Sequence, residues 1–310
     1  AGWGSEEEEE WYGEGLQGKG LPGRKRTRPG RRERSAAHPG DDDDDEEDRR
    51  DGSGGARGDT PLGPAEVTLF RATAARANYL ALDRPDVCFA AKEACRRMSA
   101  PRRCDRFALR RLCRYLVGCP RLVYRFAWQA ADQPLRVYCD ADLAGCILIR
   151  RSTSGRCAMR GDHLLKHWSV TQKAITLSSG EAELGGVVKG AAEGIGLQSL
   201  ARDLAIEVAL QLYADSSAAI GICRRTGIGR VRHLAVAQLW VQERLREKHF
   251  DLFKVWGPAN PADLLTKYLP HSGISTHLQT VQAGQEEGRA DSAPKVSTDI
   301  QAWLSPPGKS

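Results

Sequence analysis

The chain has 310 residues, a formal net charge of +6 and 41% apolar residues, a length that could hold two ordinary domains. It contains no run of roughly eighteen apolar residues and opens on Gly, Ser and Glu in place of a basic-then-apolar leader, so membrane insertion and secretion are not expected. Its nine cysteines are scattered singly, without a Cys-x-x-Cys pair or paired histidines at zinc-finger spacing; this excludes a zinc finger and fits reduced thiols in the cytoplasm or nucleus.

Residues 1–60 carry an acidic run at Glu6–Glu10, a basic Pro/Gly tract from Arg24 to Arg34 and a second acidic run at Asp41–Asp48. Blocks of opposite charge with almost no apolar residues cannot offset chain entropy, which predicts a disordered polyampholyte. The basic tract reads as a nuclear-localisation or nucleic-acid patch or, more plainly, as a solvated linker.

Residues 61–130 form a second unit, with apolar residues at helical spacing over Ala65–Leu82, Pro85–Met98 and Arg102–Val117, then a strand at Leu122–Trp128. From Leu135 the pattern shortens to strands at Leu135–Cys139, Gly155–Arg160 and Ala174–Leu177, with Leu164–Trp168 continuing one of them; an antiparallel meander is predicted. A helix follows over Gly180–Leu204, opened by Ser178 with Glu181 three residues later, the spacing of a capping box. A strand at Ala209–Ala214, helices at Ser216–Cys223 and Leu234–Lys248, a strand at Phe250–Trp256 and a helix from Pro261 complete residues 131–272. The order β-β-β-α-β-α-α-β-α is that of an α/β ribonuclease H-like fold, a mixed five-stranded sheet flanked by helices. Residues 273–310 are polar and rich in Gly and Ser, and are expected to stay loose.

Four carboxylates fall where such a sheet presents a cleft: Asp140 at the end of the first strand, Glu183 in the first turns of the long helix, Asp215 at the end of the fourth strand and Asp263 at the start of the last helix. Brought together they would repel one another, so the set implies a divalent cation, and oxygen-only ligands select magnesium or manganese. Two such ions about 4 Å apart can activate water against a phosphodiester and stabilise the leaving 3′ oxygen. Asp140 is expected to bridge the two ions. Any one aspartate at a strand end is more often a solvated cap, so the reading rests on the set. Glu181 competes with Glu183 but is explained by capping, and Asp142 shares a face with Asp140.

The motifs Tyr138-Cys-Asp-Ala-Asp-Leu-Ala-Gly145, Arg150-Arg-Ser-Thr-Ser-Gly155, Leu177-Ser-Ser-Gly-Glu-Ala-Glu-Leu184, Tyr213-Ala-Asp-Ser-Ser-Ala-Ala-Ile220 and Ala262-Asp-Leu-Leu-Thr-Lys267 resemble, in order and spacing, the ribonuclease H domain of copia-type LTR retrotransposon Pol polyproteins. The resemblance implies cleavage of the RNA strand of an RNA/DNA hybrid, with Asp140, Glu183, Asp215 and Asp263 as the catalytic and metal-binding set. Upstream, Phe70-Arg-Ala-Thr73, Arg84-Pro-Asp-Val87 and Leu112-Cys-Arg-Tyr-Leu-Val-Gly118 resemble the segment after the reverse transcriptase palm of the same polyproteins. No Tyr-x-Asp-Asp motif precedes Leu69, so polymerisation is not expected and a separate reverse transcriptase is the implied partner.

Leu143, Cys146 and Ser216 depart from the family's usual Trp, Asp and Asn, and the histidine that cellular ribonucleases H carry before the last aspartate is missing from Val255–Asp263. Because a hybrid is read by backbone shape and 2′-hydroxyls, non-specific phosphate contacts suffice. Lys173, Lys189, Arg224, Arg225, Arg230 and Arg232 are candidates, each also readable as an ordinary solvated charge. Trp168, Trp240 and Trp256 read as core, and His233 as structural. The alternative function is a Pol fragment of faded activity that binds nucleic acid or is structural; a transposase of the same superfamily would end its acid set in glutamate, where Asp263 stands.

Overall fold

Proline opens the first two helices, where its fixed φ suits the first turn and no backbone donor is lost. The structure, a computed structural model, describes residues 60–146, 149–227, 229 and 236–288. Helices α1 (Pro64–Leu80), α2 (Pro85–Cys95) and α3 (Arg103–Gly118) come first. Their apolar faces meet in a core of Phe70, Ala74, Val87, Ala91, Leu109 and Leu112. Strand β1 (Arg121–Tyr124) then pairs antiparallel with β7 (Ala283–Glu286).

The main sheet has the order β4-β3-β2-β5-β6, built from β2 (Leu135–Asp142), β3 (Thr153–Arg160), β4 (His163–Thr171), β5 (Leu210–Ala214) and β6 (Asp251–Lys254). The β2–β3 and β3–β4 pairs are antiparallel, and β5 runs parallel to β2 and to β6. This is the mixed five-stranded sheet of a ribonuclease H-like fold. Helix α4 (Ser179–Asp203) makes the crossover to β5, and α5 (Ser217–Arg224) and α6 (Val236–Arg246) the crossover to β6.

Helix α4 lies close against the sheet because glycine recurs every fourth residue on its inner face. A Cβ on Gly190 would stand 2.4 Å from the Cys139 sulfur, and one on Gly194 2.8 Å from the Leu210 side chain. Val137, Cys139, Leu184, Val187, Ala191 and Leu212 fill this core.

The structure corrects four expectations. Ala174–Leu177 is not a strand: β4 runs over His163–Thr171 and pairs with β3 along its length, and the Leu177 N–H instead donates to the Glu181 carboxylate at the helix start. The last helix, expected from Pro261, is a 3-10 turn at Pro261–Leu265. The stretch after residue 272, expected to be loose, continues helix α7 (His271–Thr280) and forms β7. Leu278, Val281 and Ala283 bury there against Leu264, Leu265 and Met159, and β7 finds its partner in a strand far away in sequence. Trp256, expected in the core, is 74% exposed, whereas Trp168 and Trp240 pack against the core as anticipated. The expectations for residues 1–59 and 289–310 lie outside the described residues, as do those for Arg230, Arg232 and His233.

Candidate carboxylate site

Strand register brings the first two acids together. Cys139 on β2 pairs with Ala214 on the parallel strand β5, so Asp140 and Asp215 are the next residues on adjacent strands. Ser216 caps α5 by accepting from the Ala219 N–H at 3.2 Å, which turns the chain away immediately after Asp215. Ser178 caps α4 from the Glu181 N–H at 3.3 Å, and the Glu181 carboxylate folds back onto Leu177 N and Ser178 Oγ. Glu181 is thereby used in capping, and Glu183 enters the cluster.

Oxygens of Asp140, Glu183 and Asp215 lie within 4.8 Å of one another. Asp263 is not one of this group, and its Oδ2 accepts from Lys267 Nζ at 2.8 Å. Asp142 is half-buried at the end of β2 and also lies outside the group.

A packed corner holds Asp140 in place. The fully buried Thr266 hydroxyl donates to Asp140 Oδ2, and the fully buried Asn260 amide donates to the Cys139 carbonyl at 2.9 Å. Asn260 also accepts from Ala262 N, so one side chain ties the 3-10 turn to the end of β2. Gly155, paired with Asp140 across β3, makes this possible. A Cβ there would lie 2.7 Å from Ala262 O, Leu265 Cβ and Thr266 Cγ2. Thr266, Asn260 and Gly155 were not singled out from the sequence, although Gly155 and Thr266 stand in motifs with the acids; only the pairing of β2 with β3 shows what they touch.

Burial and mutual repulsion disfavour the ionised acids. Burial, then the charge of Asp263, pushes Asp140 up to about 7. Burial, then Asp140 and Asp215, pushes Glu183 up to about 9, against a hydrogen bond from the Ala141 backbone. Asp215 is raised by burial and by Asp263. Glu183 is only 8% exposed, and its Oε2 has no hydrogen-bond partner among the described residues. A buried, unpartnered carboxylate oxygen facing two other carboxylates fits a hard divalent cation such as magnesium or manganese, with Asp140, Glu183 and Asp215 as ligands.

The four candidate phosphate-binding residues among the described residues fall on different elements. Lys173 is exposed in the loop after β4, at one edge of the sheet, and Lys189 is exposed on α4. Arg224 donates to the Leu252 carbonyl of β6, the opposite edge, with Arg225 beside it. Of the departures from the family pattern, Cys146 is buried and accepts from Arg96 at 2.7 Å, and Leu143 stays partly exposed.

A sheet of this order, with acids late in β2, just past β5 and in the first turns of the crossover helix, is that of a ribonuclease H-like domain. In sequence the chain is similar to retrovirus-related Pol polyproteins of plant transposons. It is 29% identical over 191 residues, 61% of its length, to the retrovirus-related Pol polyprotein from transposon TNT 1-94 of Nicotiana tabacum. It is 29% identical over 217 residues, 69% of its length, to that from transposon RE1 of Arabidopsis thaliana. The chain's matches span only 14% and 15% of those two polyproteins. No family model matches the chain. Among solved structures it is similar to LC11-RNase H1 in complex with an RNA/DNA hybrid, with 13% identity, a TM-score of 0.32 and coverage of 43% of this chain and 93% of that one.

Proposed function

We propose that this domain hydrolyses the RNA strand of an RNA/DNA hybrid, with two magnesium or manganese ions held by Asp140, Glu183, Asp215 and Asp263. The observation that carries the reading is the buried group of three carboxylates with an unpartnered Glu183 oxygen. Like charges this close are costly without a cation, and no histidine or cysteine among the described residues joins them as a softer ligand. Bound cations would activate a water against the phosphodiester and stabilise the leaving 3′ oxygen.

The chain's own residues supply the positioning. Thr266 holds Oδ2 of the Asp140 carboxylate, fixing the orientation of a residue that also groups with Glu183 and Asp215. Asn260 locks the strand end that carries it, and Ser178 and Glu181 fix the helical turn that presents Glu183. The similarity to Pol polyproteins supports action on hybrids made by a reverse transcriptase.

The test is cleavage of a labelled hybrid by the full chain with magnesium, manganese or chelator, beside duplex DNA and duplex RNA. Metal-dependent cutting confined to the RNA of the hybrid is expected. Binding without cutting would favour the alternative of a nucleic-acid-binding Pol fragment; neither binding nor cutting would refute both readings.

A further inference from the structure

Of the four acids, Asp263 alone forms an ion pair among the described residues, with Lys267 four residues later. The backbone origin of that lysine is fixed. Leu264 and Leu265 are buried, and Thr266, which immediately precedes Lys267, is fully buried and hydrogen-bonded to Asp140. The ammonium lies 2.8 Å from Asp263 Oδ2, and its side chain is 44% exposed, so it can leave toward solvent without disturbing the turn.

Lys267 acts on more than Asp263. Its charge favours the ionised forms of Asp140, Asp142 and Asp215. Burial alone would weaken its own proton affinity, but the hydrogen bond to Asp263 and the charges of Asp140, Asp263 and Asp215 outweigh burial and raise it. The lysine therefore sits in the field of the whole cluster. Asp263 is divided between two environments: Oδ2 is held by Lys267, while Oδ1 is buried with no hydrogen-bond partner among the described residues. The other three acids form a group from which Asp263 is absent.

We propose that Lys267 is a positioning residue standing where a second cation would bind, so that one divalent ion enters the Asp140–Glu183–Asp215 group readily and a second binds at Asp263 only by displacing the Lys267 ammonium. This rests on the cation reading above. It makes the second site weak by construction: a cation there must break an ion pair and accept a like charge nearby. The displaced ammonium, on a flexible four-carbon stem, is then free to meet a phosphate.

Calorimetric titration of the full chain with Mn2+ alone, without nucleic acid, tests this. Wild type is expected to show one stronger and one weaker site. Lys267→Met should tighten the weaker site by at least about tenfold, since a nearby like charge is gone, and should move the stronger site less. Lys267→Arg, which keeps the charge, should restore wild-type behaviour. Thermal melting checks that Lys267→Met folds, and Lys267→Gln is the substitute if it does not. A weaker site unchanged in Lys267→Met or Lys267→Gln, or tightened equally in Lys267→Arg, would overturn the proposal. An Asp140→Asn protein that binds Mn2+ as wild type does would instead remove the cation reading itself, and the proposal with it.

Discussion

Two groups of buried charge in this molecule are built on opposite rules. In the helical region Arg84, 5% exposed, donates two hydrogen bonds to Asp86 at 2.9 and 2.7 Å and a third to the Cys119 carbonyl at 2.9 Å. Tyr115 adds a donor to Asp86 at 2.7 Å, and Gln285 of β7 donates to Tyr115 in turn. Positive and negative charge balance, so nothing further is needed to hold it. Late in β2, just past β5 and at the start of α4, three acids meet; among the described residues no base joins them, Lys267 forms its ion pair with Asp263, and a buried Glu183 oxygen has no hydrogen-bond partner. The first arrangement stabilises a junction between helices and a strand pair. The second is a standing electrostatic cost, which a protein retains where a ligand will offset it.

The sharpest way to break this comparison is to neutralise one acid of the cluster. Glu183→Gln should reduce hybrid cleavage to background while leaving the metal-free melting temperature equal or higher, because a like-charge repulsion is removed. A fall in both would place Glu183 with the structural charges. In the helical region the effect should fall on stability. Asp86→Ala strands Arg84 in the interior and should cost about 3–5 kcal/mol in urea unfolding.

A smaller effect is expected at the contact between β3 and the 3-10 turn. Gly155→Ala places a methyl group against Ala262, Leu265 and Thr266, and overpacking of this kind costs about 1–3 kcal/mol. Because the displaced turn carries Thr266 and Asp263, cleavage should fall further than stability alone explains, measured at a temperature where the variant remains folded.

A further effect is on the pH dependence of stability. Asp140 and Glu183 are raised from 3.8 and 4.5 to about 7 and about 9, so the folded chain holds these protons more tightly than the unfolded one. The stability they contribute is fully present below about pH 4 and is lost as pH rises through the folded values. In chelator, the melting temperature of wild type should therefore fall relative to Glu183→Gln between those limits. Magnesium should reverse the trend at the upper end, and parallel curves in chelator would contradict the shift.

Most of the site could be read from the sequence because its signals are local. Asp140 late in β2, a Ser178 cap followed by Glu183, and Asp215 just past β5 each lie within a few residues of a local signal, and the fold order places them together. Pairing between distant segments was not legible. Nothing local marks Ala283–Glu286 as a partner for Arg121–Tyr124, and the turn at Pro261–Leu265 owes its shape to Asn260 and Thr266 bonding to β2. Trp256 misled for a related reason: apolar neighbours in sequence do not bury a residue where the chain leaves β6 for an exposed turn. The glycines of α4 spell out close packing only once β2 and β5 are known to lie beneath them.

If the unbalanced cluster carries the chemistry and the balanced one the stability, the magnesium-dependent rate of hybrid cleavage separates the two. The Glu183→Gln and Asp86→Ala proteins would be measured side by side, at a temperature where both are folded. No cleavage above background is expected for Glu183→Gln, and a rate near wild type for Asp86→Ala. Equal rates in the two would contradict this division of roles.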